Sequence, residues 1–199
     1  MYFLFDLGNT LIKLDYERVL TNIRVDATIS RDALVDLFED AGGYRDLERG
    51  WVTFSNFYEF LVDKAGYRGG IRRMREIWED FFDGTVAGSE DLLERVRDRY
   101  SVAFLSNSNE VHAEIIPKRF PNLFQRGDSL VFSHLLRVAK PDPAFFLRAL
   151  EMIEAAPAEC IFVDDLQENV RAAQSVGIRS FKFVDSVTLL QDLRREDLL

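Results

Sequence analysis

The sequence predicts an α/β fold, a doubly wound parallel sheet with a small helical cap inserted after its first strand. Three observations carry this. Short apolar runs of strand length recur along the chain, amphipathic helical stretches alternate with them, and the block from residue 15 to 85 breaks the alternation.

The first run, YFLFD over residues 2–6, is continuously apolar up to its last residue, the pattern of a strand buried on both faces of a parallel sheet. It ends on Asp6, followed by Leu7, Gly8, Asn9 and Thr10. From about Asp15 to Thr85 the apolar residues fall instead at helical spacing: Leu34, Leu37, Phe38; Phe57, Phe60, Leu61; Ile77, Phe81. Gly42-Gly43, Gly66 and Gly69-Gly70 punctuate the block, and little in it reads as a strand. It is expected to cover the sheet's active edge, giving a core of residues 1–14 and 86–199 and a cap of residues 15–85. Within the cap, Trp51, Phe54, Phe57 and Tyr58 read as its own core, and RGGIRRMRE as the solvated start of a helix.

Beyond the cap the alternation resumes. Ser89 to Arg99 carries Leu92, Leu93 and Val96 at helical spacing, and VAFLS (102–106), SLVFS (129–133), CIFVDD (160–165) and SFKFV (180–184) supply four more strands. Asp142 is placed to cap the helix PAFFLRALEMI, with Pro143 at its first position, and QENVRAAQSV stops at Gly177. There is no internal repeat and no low-complexity segment.

The 199 residues, 47% of them hydrophobic and 13% aromatic, suffice for a full core. The net charge of −9 repels nucleic-acid backbones and anionic membrane surfaces, so neither is an expected partner. No apolar run approaches bilayer length, and a strand expected at residue 2 leaves no space for a leader peptide. The one cysteine, Cys160, opens an apolar run and reads as a buried thiol. A reducing cytoplasm is the expected location, with a monomer or homodimer as the expected state.

Polar groups gather at the strand ends. In open α/β sheets ligands sit outside the carboxyl ends of the strands, and those ends carry Asp6, Ser106-Asn107 and Asp164-Asp165, with Lys140 in the loop after the third core strand. Three converging carboxylates repel one another unless a hard cation neutralises them, and oxygen ligands of this kind suit Mg²⁺ shared with a phosphate. Each residue has a plainer reading. Asp6 could cap a turn, Asp164-Asp165 the following helix, Ser106 could start a turn and Lys140 could be solvated.

FDLGNTL, VAFLSNSN, AKPDP and FVDDLQEN, in this order and spacing, resemble the four motifs of the haloacid dehalogenase (HAD) superfamily, and the likeness spans essentially the whole chain. The insertion resembles the helical C1 cap of that superfamily. Within it, FDLGN, LDYERVL, ERGWVT and LSNSNEVHAEIIPKRFPNLF look most like the bacterial subgroup containing α-D-glucose-1-phosphate phosphatase, whose members share the glycine two residues after the nucleophile. The resemblance implies a Rossmann-like HAD fold and an Mg²⁺-dependent phosphatase of small phosphorylated metabolites. Asp6 would attack phosphorus, while Ser106, Asn107 and Lys140 would support the phosphoryl group or its pocket. Asp6, the carbonyl of Gly8 and Asp165 would bind the metal, with Asp164 direct or through water. Thr10, counted with the phosphate-binding residues, would hydrogen-bond to hold the loop, and Asn169 would orient the acidic pair.

Gly8 stands where most phosphatases of this superfamily carry an Asp that protonates the leaving oxygen. General acid–base help is typically worth about 10² to 10⁴-fold, so its loss favours stabilised leaving groups or an acid from elsewhere. Asp15, Glu48 and His112 are the candidates, and Arg18, Arg45 and Arg49 could help bind an anionic substrate. Lys13, Arg137 and Ala139 depart from the subgroup pattern and bear on specificity. Two other readings stand beside the phosphatase. One is a HAD-fold binding or regulatory protein with little turnover, and the other a metal-free 2-haloacid dehalogenase, against which the extra carboxylates at 164 and 165 argue.

Overall fold

The computed structural model describes residues 1–199. The chain runs β1 (Tyr2–Phe5), β2 (Ile12–Leu14), α1 (Tyr16–Val25), α2 (Arg31–Glu39), α3 (Tyr44–Glu48), α4 (Phe54–Ala65), α5 (Gly70–Glu79), β3 (Phe82–Thr85) and α6 (Ser89–Arg97). It continues through β4 (Ser101–Ser106), α7 (Glu110–Arg119), β5 (Ser129–Phe132), α8 (Ser133–Leu136), α9 (Pro143–Met152), β6 (Cys160–Asp164), α10 (Gln167–Ser175), β7 (Arg179–Lys182) and α11 (Ser186–Arg195). No helix is long and apolar enough to cross a membrane.

The five expected strands form one parallel sheet in the order β5-β4-β1-β6-β7. Side chains alternate across a strand, so continuously apolar runs serve two cores at once. On one face Leu4, Ala103, Leu105, Cys160 and Phe162 pack against Phe145, Phe146 and Ala149 of α9. On the other, Phe3, Phe5, Phe104, Ile161 and Val163 join a larger cluster that runs through Leu92, Leu93 and Val96 of α6 into the cap residues Leu20, Ile23, Leu34, Phe57, Leu61 and Trp78. Cys160 is buried in the first of these layers. Local signals act as expected. The Asp142 side chain accepts from the amide of Ala144 ahead of Pro143, and Gly177 lies just past α10 at φ +90°.

One expectation is corrected. The block from 15 to 85 contains a strand, β3, which pairs antiparallel with β2, placing Ile12 opposite Thr85 and Leu14 opposite Phe82. This ribbon brackets the helices α1 to α5. Its second strand, FDGT, is too short and polar to show an apolar period. Trp51 is a second correction: it is 57% exposed, while Phe54 and Phe57 are buried and Tyr58 is half-buried. Its indole is drawn out of the cap interior because Nε1 donates to the carbonyl of Arg137, 3.2 Å away, and Arg49 lies 5.0 Å over its ring.

Candidate active site

The strand order reverses direction beside β1, where β4 and β5 lie to one side and β6 and β7 to the other, and ligands bind at such a switch point. Register sets the level of the side chains there. Phe5 pairs with Phe104 and with Val163, so Asp6 emerges beside Asp164 and next to the end of β4 at Ser106. The Asp6 amide donates to the carbonyl of Val163 at 2.9 Å, continuing the ladder by one residue.

Lys140 holds this mouth together. Its Nζ donates to Asp6 at 2.5 Å, to Asp164 at 2.7 Å and to the carbonyl of Leu105 at 2.9 Å, all buried. Asn107 fixes the lysine's backbone from both sides, donating to its carbonyl at 2.9 Å and accepting from its amide at 2.8 Å. The Asp164 carboxylate is fully engaged. One oxygen accepts from the amide of Leu166, the other from Lys140, and Asn169 donates to both at 2.9 and 3.0 Å. Asp165, by contrast, stays partly exposed on the cavity wall. Burial raises the pKa of Asp6 against the pull of Lys140, and burial followed by the charge of Asp164 raises that of Asp165. Burial alone would discharge Lys140, but Asp164 and Asp6 overcome it and keep the ammonium charged.

A cavity of about 500 Å³ opens above the mouth. Its floor holds Asp6, Ser106, Asn107, Lys140 and Asp165, and its roof Leu20, Phe38, Tyr44, Arg45, Glu48 and Phe81 from the helical insertion. Oxygen ligands of Asp6, Asp164 and Asp165 lie within 4.8 Å of one another, and a single ammonium leaves three carboxylates short of positive charge. A hard divalent cation fits this donor set.

Residues 1–177 match the haloacid dehalogenase-like hydrolase family. The chain belongs to that family. It is similar to the D-ribitol-5-phosphate phosphatase of Bacteroides thetaiotaomicron, at 24% identity over 194 residues covering 95% of this chain and 94% of the relative. A HAD family enzyme from the same organism, solved with magnesium and inorganic phosphate, matches with a TM-score of 0.77 at 26% identity, covering 92% and 94% of the two chains. A HAD-like hydrolase from Porphyromonas gingivalis matches with a TM-score of 0.81 at 23% identity over 98% and 97%, a likeness of fold.

In this HAD-like hydrolase the loop after β1 leaves no unused space at residue 8. A Cβ built on Gly8 would meet Cδ1 of Leu14 at 2.6 Å, so Leu14 from β2 fills the volume that a side chain there would need. Thr10 does not hold the loop in the expected way. Its hydroxyl is buried without a hydrogen-bond partner and lies off the cavity wall. The loop closes through backbone bonds from Leu11 and Ile12 to Leu7, from Asn9 to Ile12, and through the Asn9 side chain, which accepts from the amide of Leu14.

The three candidate acids separate in the structure. Asp15 caps α1, pairs with Arg18 and does not line the cavity. His112 does line it, but both ring nitrogens are engaged, one with the Asn109 amide and one with the carbonyl of Trp78, and burial lowers its pKa to about 3. Glu48 lines the cavity and makes no ion pair. Among the arginines, Arg18 bridges Asp15 and Asp83, Arg49 sits over Trp51, and Arg45 alone lines the cavity, paired with Glu39.

Sequence reasoning missed Leu14 and Ser133 as parts of the site, and marked Arg137 only as a departure that bears on specificity. The Ser133 hydroxyl accepts from the amide of Ser108 and donates to the carbonyl of Glu48 at 2.5 Å, tying the loop after β4 to α3. Arg137 adopts φ +59°, the conformation that a glycine takes without cost, and its side chain donates to the carbonyl of Gly50. The glycine missing from this position of the sequence was the available signal.

Proposed function

We propose that this HAD-like hydrolase is a Mg²⁺-dependent phosphatase of small phosphorylated metabolites that works through an aspartyl phosphate on Asp6, with residues 15–85 as its cap. The class is that of its relatives, a phosphoric monoester hydrolase. The observation that carries the mechanism is the contact of Lys140 Nζ with both Asp6 and Asp164 on the floor of a capped cavity. An ammonium in that position aims Asp6 and opposes the protonation that burial favours, and it remains available as a donor to phosphoryl oxygens beside Ser106 and Asn107.

Asp6, the Gly8 carbonyl and Asp165 would hold the metal, with Asp164 direct or through water. When bound, Mg²⁺ supplies the positive charge that the three carboxylates and a phosphate group lack. Asp6 attacks phosphorus in line with the leaving oxygen, and the ester oxygen departs with the bonding pair. Asn169 and the Leu166 amide keep the Asp164 carboxylate turned toward Lys140 during both halves of the reaction.

Relatives named for ribitol 5-phosphate and for phosphorylated carbohydrates direct the first substrate panel to sugar and sugar-alcohol phosphates, glucose 1-phosphate included. Phosphate release is measured over that panel, acetyl phosphate and p-nitrophenyl phosphate, with and without Mg²⁺, for wild type and Asp6→Asn. Turnover that needs Mg²⁺ and disappears in Asp6→Asn is expected. Metal-independent turnover, or a variant as active as wild type, overturns the mechanism. Beryllofluoride binding that requires Asp6, with no phosphate release from any ester, would identify a binding protein instead.

A further inference from the structure

We propose that Glu48, reaching into the cavity from the insertion, is the proton donor to the departing oxygen that residue 8 cannot be. This rests on the phosphatase reading above and assigns a residue within it. Glu48 shares one cavity with Asp6, Ser106, Asn107 and Lys140, and of the three carboxyl and imidazole candidates it alone combines access to that cavity with a group that neither caps a helix nor has every polar atom engaged.

Its seat is rigid. The Ser133 hydroxyl bridges the Glu48 carbonyl to the Ser108 amide, two residues beyond Ser106. Arg137 donates to the carbonyl of Gly50, and the Trp51 indole donates to the carbonyl of Arg137. Gly50 itself, at φ +65°, lies so near the core that a Cβ there would meet the carbonyl oxygen of His134 at 2.3 Å. Three successive contacts therefore fix the end of α3 against the segment leading to Lys140, and a group held this way can present a proton at a defined point.

The surroundings keep that proton in place. Glu48 faces Tyr44 of its own helix, Tyr16 of α1 and, more distantly, Lys140, with Arg45 and Arg49 nearby on its own segment. Arg45 is paired with Glu39, and Arg49 sits over Trp51 near Asp46, so neither grips the carboxylate. Removal from bulk water raises the Glu48 pKa to about 7, against opposing pulls from the Tyr44 hydroxyl and the distant cations. Both tyrosines are held protonated well above their ordinary range and act only as donors.

The step balances. Asp6 forms a bond to phosphorus, the phosphorus–oxygen ester bond breaks with its electron pair on oxygen, and the Glu48 proton moves to that oxygen, releasing a neutral alcohol. The resulting Glu48 carboxylate then takes a proton from the water that attacks the aspartyl phosphate, which frees phosphate and restores both carboxyl groups.

The test compares wild type with Glu48→Gln on glycerol phosphate, a poor leaving group, and on acetyl phosphate, a good one. The second half of the reaction is common to both esters, so their ratio isolates proton donation. The loss of kcat/KM on glycerol phosphate is expected to exceed that on acetyl phosphate by about 10² to 10⁴-fold. The alkaline limb of kcat/KM near 7 on glycerol phosphate disappears with it, while the acid limb remains. Gly8→Asp in the Glu48→Gln background, with Leu14 turned aside, restores much of the lost ratio. Equal losses on both esters, or no change in the ratio, overturn the proposal even where Asp6-dependent turnover stands. Failure of the phosphatase reading shows separately, as wild type inactive on both esters.

Discussion

Glu48 and His112 lie on one cavity wall and tilt stability in opposite directions. The folded chain keeps Glu48 protonated up to about 7 where the unfolded chain ionises near 4.5, so between those values this group's stabilisation is lost as pH rises. His112 stays neutral in the fold down to about 3 while the unfolded chain takes up a proton near 6.5, so its stabilisation is lost as pH falls through that window. Where the windows overlap, from about 4.5 to 6.5, two slopes of up to about 1.4 kcal/mol per pH unit oppose each other. Urea denaturation across that range is therefore expected to give Glu48→Gln a slope of stability against pH more positive than that of wild type by up to about 1.4 kcal/mol per pH unit. A variant with the wild-type slope would show that Glu48 is ionised in the fold. Which residues converge at the mouth of the sheet was legible at this scale because strand ends are marked by abrupt changes from apolar to acidic residues. The orphaned Thr10 hydroxyl and the contact of the His112 ring with the Trp78 carbonyl were not, since both depend on neighbours distant in sequence.

Elements explain how the roof is held over the floor. The end of α3 meets α8 and the residue after it through Ser133, Gly50 and the left-handed Arg137. Gly50→Ala adds a side chain where φ is +65° and where the His134 carbonyl already stands, a combination expected to cost about 1–3 kcal/mol or to unseat α3. A lowered melting temperature together with a raised KM for every ester checks this, and an unchanged KM would show that the roof stays in place without the close approach. Arg137→Gly removes about 1 kcal/mol of left-handed strain and the bond to the Gly50 carbonyl together. Its melting temperature is expected to hold while KM rises. The five core strands could be read from apolar runs, but β3 could not. A four-residue segment with Asp and Gly at its centre earns its strand character from pairing with β2 alone.

For the whole molecule, the floor of the site is also the top of the core. Lys140 Nζ lies 5.5 Å over the ring of Phe162, which packs on Phe146 at 5.1 Å in the layer beneath the sheet. Phe162→Ala is expected to cost about 3–5 kcal/mol in urea denaturation and to weaken cation binding with it. Binding of Mg²⁺ to the folded chain should raise its stability by about 2.7 kcal/mol at a hundred times Kd. A thermal shift present in wild type and lost in Asp165→Asn checks that assignment, while a shift of equal size in both would place the ion elsewhere.

Leu14 over Gly8 makes two positions answer to each other across generations of mutation. An acid introduced at 8 makes the methyl of Leu14 turn aside, whereas a smaller residue introduced first at 14 opens room in which that acid sits without displacing anything. The order of the two changes therefore decides what each step costs, a form of epistasis in which the donor proposed from the roof is favoured by an apolar side chain on the ribbon below it.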